Sequence, residues 1–177
     1  MNLQVKLRNA AVWGIGCIVA QMLVLTQRGV AHSALDPYFR LFWFEFAVML
    51  SVVTFAVHIW GYRYIGAKYQ NRVLASAAKW IAINAICFGI ALMTGIALFS
   101  FGMDDQIMNY VIGLFVLILL IAYIPFIWAM IQIRRQIPSW AYLALGVLVF
   151  PFSIWQSWLT IIFLIPSIAL FFRLSKS

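Results

Sequence analysis

Four apolar runs, each about as long as a bilayer core is thick, constrain this chain more than any other feature. A hydrocarbon core of ~30 Å takes about 20 residues of helix to cross. The runs lie at 10–26, 41–62, 77–101 and 110–133. A further apolar stretch, 140–172, is too long for one straight span and too short for two ordinary ones. Pro151 and Pro166 interrupt it, and each removes a backbone donor. It reads either as one broken helix or as a short hairpin turning near Ser153 to Trp158. The fold expected is an all-α integral membrane protein, a single polytopic bundle of about 5–6 spans with no soluble domain.

Composition closes the alternatives. Apolar residues make up 66% of the 177 and charged residues only 9%. A soluble domain carries roughly 25% charged residues, so too little polar surface exists here to cover a soluble core. The mean hydropathy of +1.03 says the same. Disorder, a disulfide-stapled secreted fold and a soluble nucleotide-binding enzyme are all excluded.

The net charge of +8, from 12 basic against 4 acidic residues, reads as topology rather than nucleic-acid binding. The cations are strung between apolar runs and form no dense basic tract. Lys6 and Arg8, then Arg63, Lys68, Arg72 and Lys79, then Arg134 and Arg135 fall on one side of the membrane. By the positive-inside rule that side is cytoplasmic, with the N-terminus there. The other side holds Arg28 and Arg40 with Asp36, Asp104 and Asp105. Arg173 and Lys176 favour a cytoplasmic tail, hence the hairpin. The first run lacks a small-residue cleavage site and reads as a retained signal anchor. A bacterial-type inner membrane is the expected location.

Ionisable and polar residues at membrane depth are the default functional candidates, because burying them is costly. Here they are Gln21, Arg28, Glu45, His58 and Asn84. Glu45 and His58 stand thirteen residues apart on one helix, on different faces and roughly 20 Å apart along its axis. They cannot share a metal or a proton. Glu45 reads as an interfacial carboxylate near Arg40 or Arg28, or as a proton-accessible group. His58 reads as an interfacial histidine beside Trp60 and Tyr62, or as an axial cofactor ligand. His32 is the only other histidine, so a self-contained bis-histidine haem is not expected, and no cofactor is named. Gln21 and Arg28 share one helical face with Ala10, Gly14 and Cys17. That face should meet protein rather than lipid.

The third run carries Ala78, Ala82, Ala85 and Gly89 on one side, and Asn84, Ala91 and Gly95 on nearly the opposite side. Small residues let helices approach closely, so this helix should be packed on two sides and lie at the centre of the bundle. The fourth run, rich in Val, Leu and Ile, should face lipid or an apolar partner. No HExxH, CxxC, histidine cluster, Gly-rich phosphate loop or nucleophile–base pair occurs at local spacing. No metal site and no catalytic residue is therefore assigned. Adjacent Asp104 and Asp105 read as a solvated turn more readily than as an acid–base pair.

Residues Ala34 to Tyr64, ALDPYFRLFWFEFAVMLSVVTFAVHIWGYRY, resemble the early part of the C subunit of copper membrane monooxygenases, the ammonia and methane oxidisers. Later features follow in similar order. They are the acidic loop at Asp104 and Asp105, a helix, Arg134, Arg135 and Pro138, then YLALGVLVFPF over Tyr142 to Phe152. The resemblance implies a helical subunit of an oxidoreductase assembly. The family's copper ligands are an Asp and two His around the acidic loop. This chain has no histidine after His58, so no catalytic residue carries over.

Three functions follow from these readings. The first is a non-catalytic membrane subunit of a larger complex, with other membrane subunits and membrane lipids as partners and no nucleic acid. The second is a small transporter or channel built on Glu45 and a polar cavity. The third is a membrane enzyme acting on lipid or quinone through Glu45 or the Asp104–Asp105 pair.

Overall fold

The computed structural model describes the backbone of residues 2–29, 37–100, 105–141 and 157–176. Within these, the side chains of 27–29, 37–41, 96–100, 105, 107–109, 112 and 157–160 fall outside the description. The described regular structure is helical. It comprises α1 (Leu3–Gly29), α2 (Pro37–Trp60), α3 (Tyr62–Lys68), α4 (Arg72–Ser100), α5 (Asp105–Gln132) and α6 (Ser157–Lys176). Among the described residues four segments are long and apolar enough to cross a membrane: Leu3–Thr26, Phe42–Lys68, Arg72–Gly95 and Gly113–Gln132. The choice between one broken helix and a hairpin over 140–172 falls on 142–156, outside the described residues.

The helices outrun the apolar runs at the basic end. α1 takes in Lys6 and Arg8, and α4 takes in Arg72. Arg8 and Arg72 are exposed, so charge does not stop the helix there. α2 breaks for one residue at Gly61 and continues as α3. A Cβ on Gly61 would stand 2.8 Å from the Phe171 ring and collide with Ala10, so only glycine lets α1 and α6 approach there. Asn71 then caps α4, its side-chain oxygen accepting from the Leu74 N–H at 3.0 Å. Gln70, just before it, takes the left-handed backbone of the turn, with φ 53°.

The helices pack as a row, in the order α6, α1, α2, α4, α5. α4 touches α2 and α3 on one side and α5 on the other. Ala78, Ala82 and Ala85 are buried, and a Cβ on Gly89 would stand 2.7 Å from Val52 on α2. The middle of the row, however, is α2 rather than α4, and α2 with α3 forms the most enclosed of the four spans. The reason lies in α2's own polar residues. Ser51, Thr54 and His58 must turn inward, whereas α4 has Asn84 as its one buried polar side chain among the described residues.

At the basic end the row is drawn together by Tyr62. Its ring lies edge-on to Phe126 of α5 at 5.1 Å and to Phe171 of α6 at 4.9 Å. Each such pair adds about 0.5–1.5 kcal/mol beyond the area it buries. α6 runs antiparallel to α1. Its Ser167 and Ile168 meet the neighbourhood of Ala10 and Gly14, and Leu174 accepts a hydrogen bond from Lys68 at 3.2 Å. Lys6 lies 5.2 Å over the Tyr64 ring. The start of α1 and the end of α6 therefore share the basic end of the bundle.

Candidate functional site

His58 is completely buried inside the bundle. Its Nδ1 lies 2.8 Å from the Ala10 carbonyl oxygen of α1. Its Nε2 lies 2.6 Å from Ser167 Oγ of α6, and the Tyr62 hydroxyl lies 2.6 Å from the same Oγ. The backbone carbonyl can only accept, so Nδ1 carries the proton of the neutral ring and Nε2 accepts. Ser167 then donates to Nε2, and its oxygen accepts from Tyr62. The result is a one-way chain of donors, from Tyr62 through Ser167 and His58 to Ala10, that joins α1, α2, α3 and α6.

The local sequence makes this possible at two small residues. A Cβ on Gly14 would stand 2.6 Å from His58 Nδ1 and 2.5 Å from Ile168, so glycine opens the path to the Ala10 carbonyl. Four residues separate His58 from Tyr62, so both look toward α6. The pairing of a histidine with a serine is a nucleophile–base geometry in outline. Here His58, Tyr62 and Ser167 are all 0–1% exposed, so the pair is enclosed by the bundle. Local spacing missed this pair because Ser167 lies 109 residues from His58.

A second polar group joins α1 to α2. Gln21 Nε2 donates to Ser51 Oγ, and the Ser51 carbonyl accepts from Thr54 Oγ1 at 3.0 Å and from the Cys17 thiol at 3.8 Å. Ala10, Gly14, Cys17 and Gln21 lie buried along this face of α1. Arg28 is in the last turn of α1, and its side chain lies outside the described residues. Asn84 donates to the Phe115 carbonyl of α5 at 3.3 Å. It also lines a groove of about 800 Å³ between α4 and α5, with Trp80, Cys87, Phe115, Ile121 and Pro125.

The other candidates are not brought together. Glu45 is half-buried on α2, among exposed Phe42, Trp43 and Phe46. Ala91 is half-buried and Gly95 buried along α4. Asp104 lies outside the described residues, as does the side chain of Asp105. Among the described residues no three His, Cys, Asp or Glu side chains converge as a metal site would require.

Comparison with protein-family models, with curated proteins and with solved structures finds no match to this chain.

Proposed function

We propose that this chain is a non-catalytic integral subunit of a larger inner-membrane complex with its basic end in the cytoplasm. An oxidoreductase assembly is the class to which the resemblance at Ala34–Tyr64 points. The observation that supports this reading is how the buried polar side chains are used. Gln21, Ser51, His58, Asn84 and Ser167 are hydrogen-bonded to other helices and Thr54 to its own, while among the described residues the Tyr123 hydroxyl is buried without a partner. A transport path needs such groups open to water, and a catalytic site needs one open to substrate. Five of these residues join one helix to another instead.

The face that would meet a partner is on α5, the least enclosed of the four spans. Leu114, Leu117, Ile121, Ile124 and Trp128 are exposed along it. The test is a photo-crosslinking residue at Ile124 in native membranes. The proposal expects a discrete protein–protein adduct of fixed mass. Adducts to lipid alone would overturn it.

A further inference from the structure

The α4–α5 pair is bridged at two heights and open between them. At the basic end the Asn71 side chain, in the turn before α4, donates to Gln132 Oε1 at 3.1 Å and to the Ala129 carbonyl at 3.4 Å on α5. Deeper along the pair Asn84 donates to the Phe115 carbonyl, and Phe88 meets the Phe115 ring edge-on at 6.1 Å. Between these ties the facing side chains include small ones, Ser76 and Ala77 on α4 and Ala122 on α5. They leave the groove of about 800 Å³, which neither helix fills. Its polar side chains lie on α4 alone and close to one line. Arg72, Ser76, Trp80 and Asn84 follow one another at intervals of four residues, and the α5 wall is apolar. Arg72 is exposed at the mouth, where the span Arg72–Gly95 begins.

The depth of the groove says what fits it. From Arg72 to Cys87 is fifteen residues, roughly 22 Å of helix. One leaflet of a bilayer, headgroup layer included, is about 20–22 Å deep. A partner's spanning helix needs a surface across the whole ~30 Å core, whereas this groove stops one turn beyond Asn84. The occupant therefore has the length of one leaflet, with an apolar body. An acyl chain gives the apolar walls the contacts that an empty groove forfeits. At the mouth, at the depth of the headgroups, a phosphate complements the guanidinium of Arg72.

We propose that the α4–α5 groove holds one phospholipid from the leaflet at the basic end. Its phosphate lies at Arg72, and one acyl chain runs past Trp80 and Ile83 to Cys87, against Phe115 and Ile118. The site goes beyond the subunit reading and does not depend on it.

The test places the full chain in vesicles of phosphatidylethanolamine and phosphatidylglycerol. A trace of phosphatidylethanolamine carries a diazirine at the middle or at the end of one acyl chain. Photolysis and peptide mass spectrometry then map the adducts. The expected result is labelling of the groove at least about tenfold above that of Val19, an exposed residue on α1. The mid-chain probe should label around Trp80 and Ile83, and the end-chain probe around Cys87. Equimolar palmitate should leave both patterns unchanged. Ala122→Phe fills the groove and should lower its labelling about tenfold. Arg72→Gln removes the phosphate contact and should lower it about fivefold. Ile162→Phe, at an exposed position on α6, should change nothing. Even labelling of all exposed faces would overturn the proposal without any variant. Unlabelled groove residues would also overturn it, as they would mark a groove covered by protein. So would protection by palmitate, which would mark a fatty-acid site, undiminished labelling in Ala122→Phe or Arg72→Gln, or an equal loss in Ile162→Phe.

Discussion

Removing the Ser167 hydroxyl should expose how the Tyr62–Ser167–His58 chain holds the bundle. Ser167→Ala deletes two hydrogen bonds at once, leaving Nε2 of His58 without a donor and the Tyr62 hydroxyl without an acceptor. Interhelical hydrogen bonds inside membranes contribute about 0.6 kcal/mol on average and up to about 1.7. The expected loss for Ser167→Ala is therefore about 1–3 kcal/mol. Tyr62→Phe keeps the ring against Phe126 and Phe171 and deletes one bond, so it should cost about 0.6–1.7 kcal/mol. The double variant decides the matter. Once Ser167 is alanine the tyrosine hydroxyl has nothing to lose, so adding Tyr62→Phe should cost nothing further. The coupling should then equal the cost of Tyr62→Phe alone. Reversible unfolding in mixed micelles measures all four proteins. Strict additivity of the two changes would refute the chain of donors described here.

Other predictions rest on single contacts. Gly89→Ala should lose about 1–3 kcal/mol through overlap with Val52, and Val52→Ala in the same protein should restore most of it; thermal unfolding checks both. Tyr123 is buried with a hydroxyl that has no hydrogen-bond partner, so Tyr123→Phe should raise the melting temperature, with a gain of about 1–3 kcal/mol. Protease sites appended before Met1 and after Ser177 should be cut from the same face of sealed vesicles, because the start of α1 and the end of α6 share the basic end. Cutting from opposite faces would contradict that packing.

Much of the architecture was legible in the sequence, for a physical reason. A backbone in hydrocarbon must satisfy its own hydrogen bonds, so an apolar run of span length is a helix. The face of α1 through Ala10, Gly14, Cys17 and Gln21 could be read from spacing alone, because helical periodicity puts those residues in line. The small-residue stripe on α4 could be read the same way. What periodicity does not carry is which helix meets which. His58 gave no sign of Ser167, since the pairing depends on α6 returning beside α1. Gly14 read only as part of a face that meets protein, and its purpose emerged with the His58 ring that passes over it. The choice of α2 over α4 as the middle of the row depended on where Ser51, Thr54 and His58 find partners, and those partners are remote in sequence.

The most direct test of the central claim is to extract the native protein gently from its own membrane, weigh the intact assembly and identify every peptide in it. A subunit predicts a heteromeric particle of defined mass, held together after the detergent belt is stripped. A monomer or homo-oligomer that carries out transport or catalysis by itself would contradict the account.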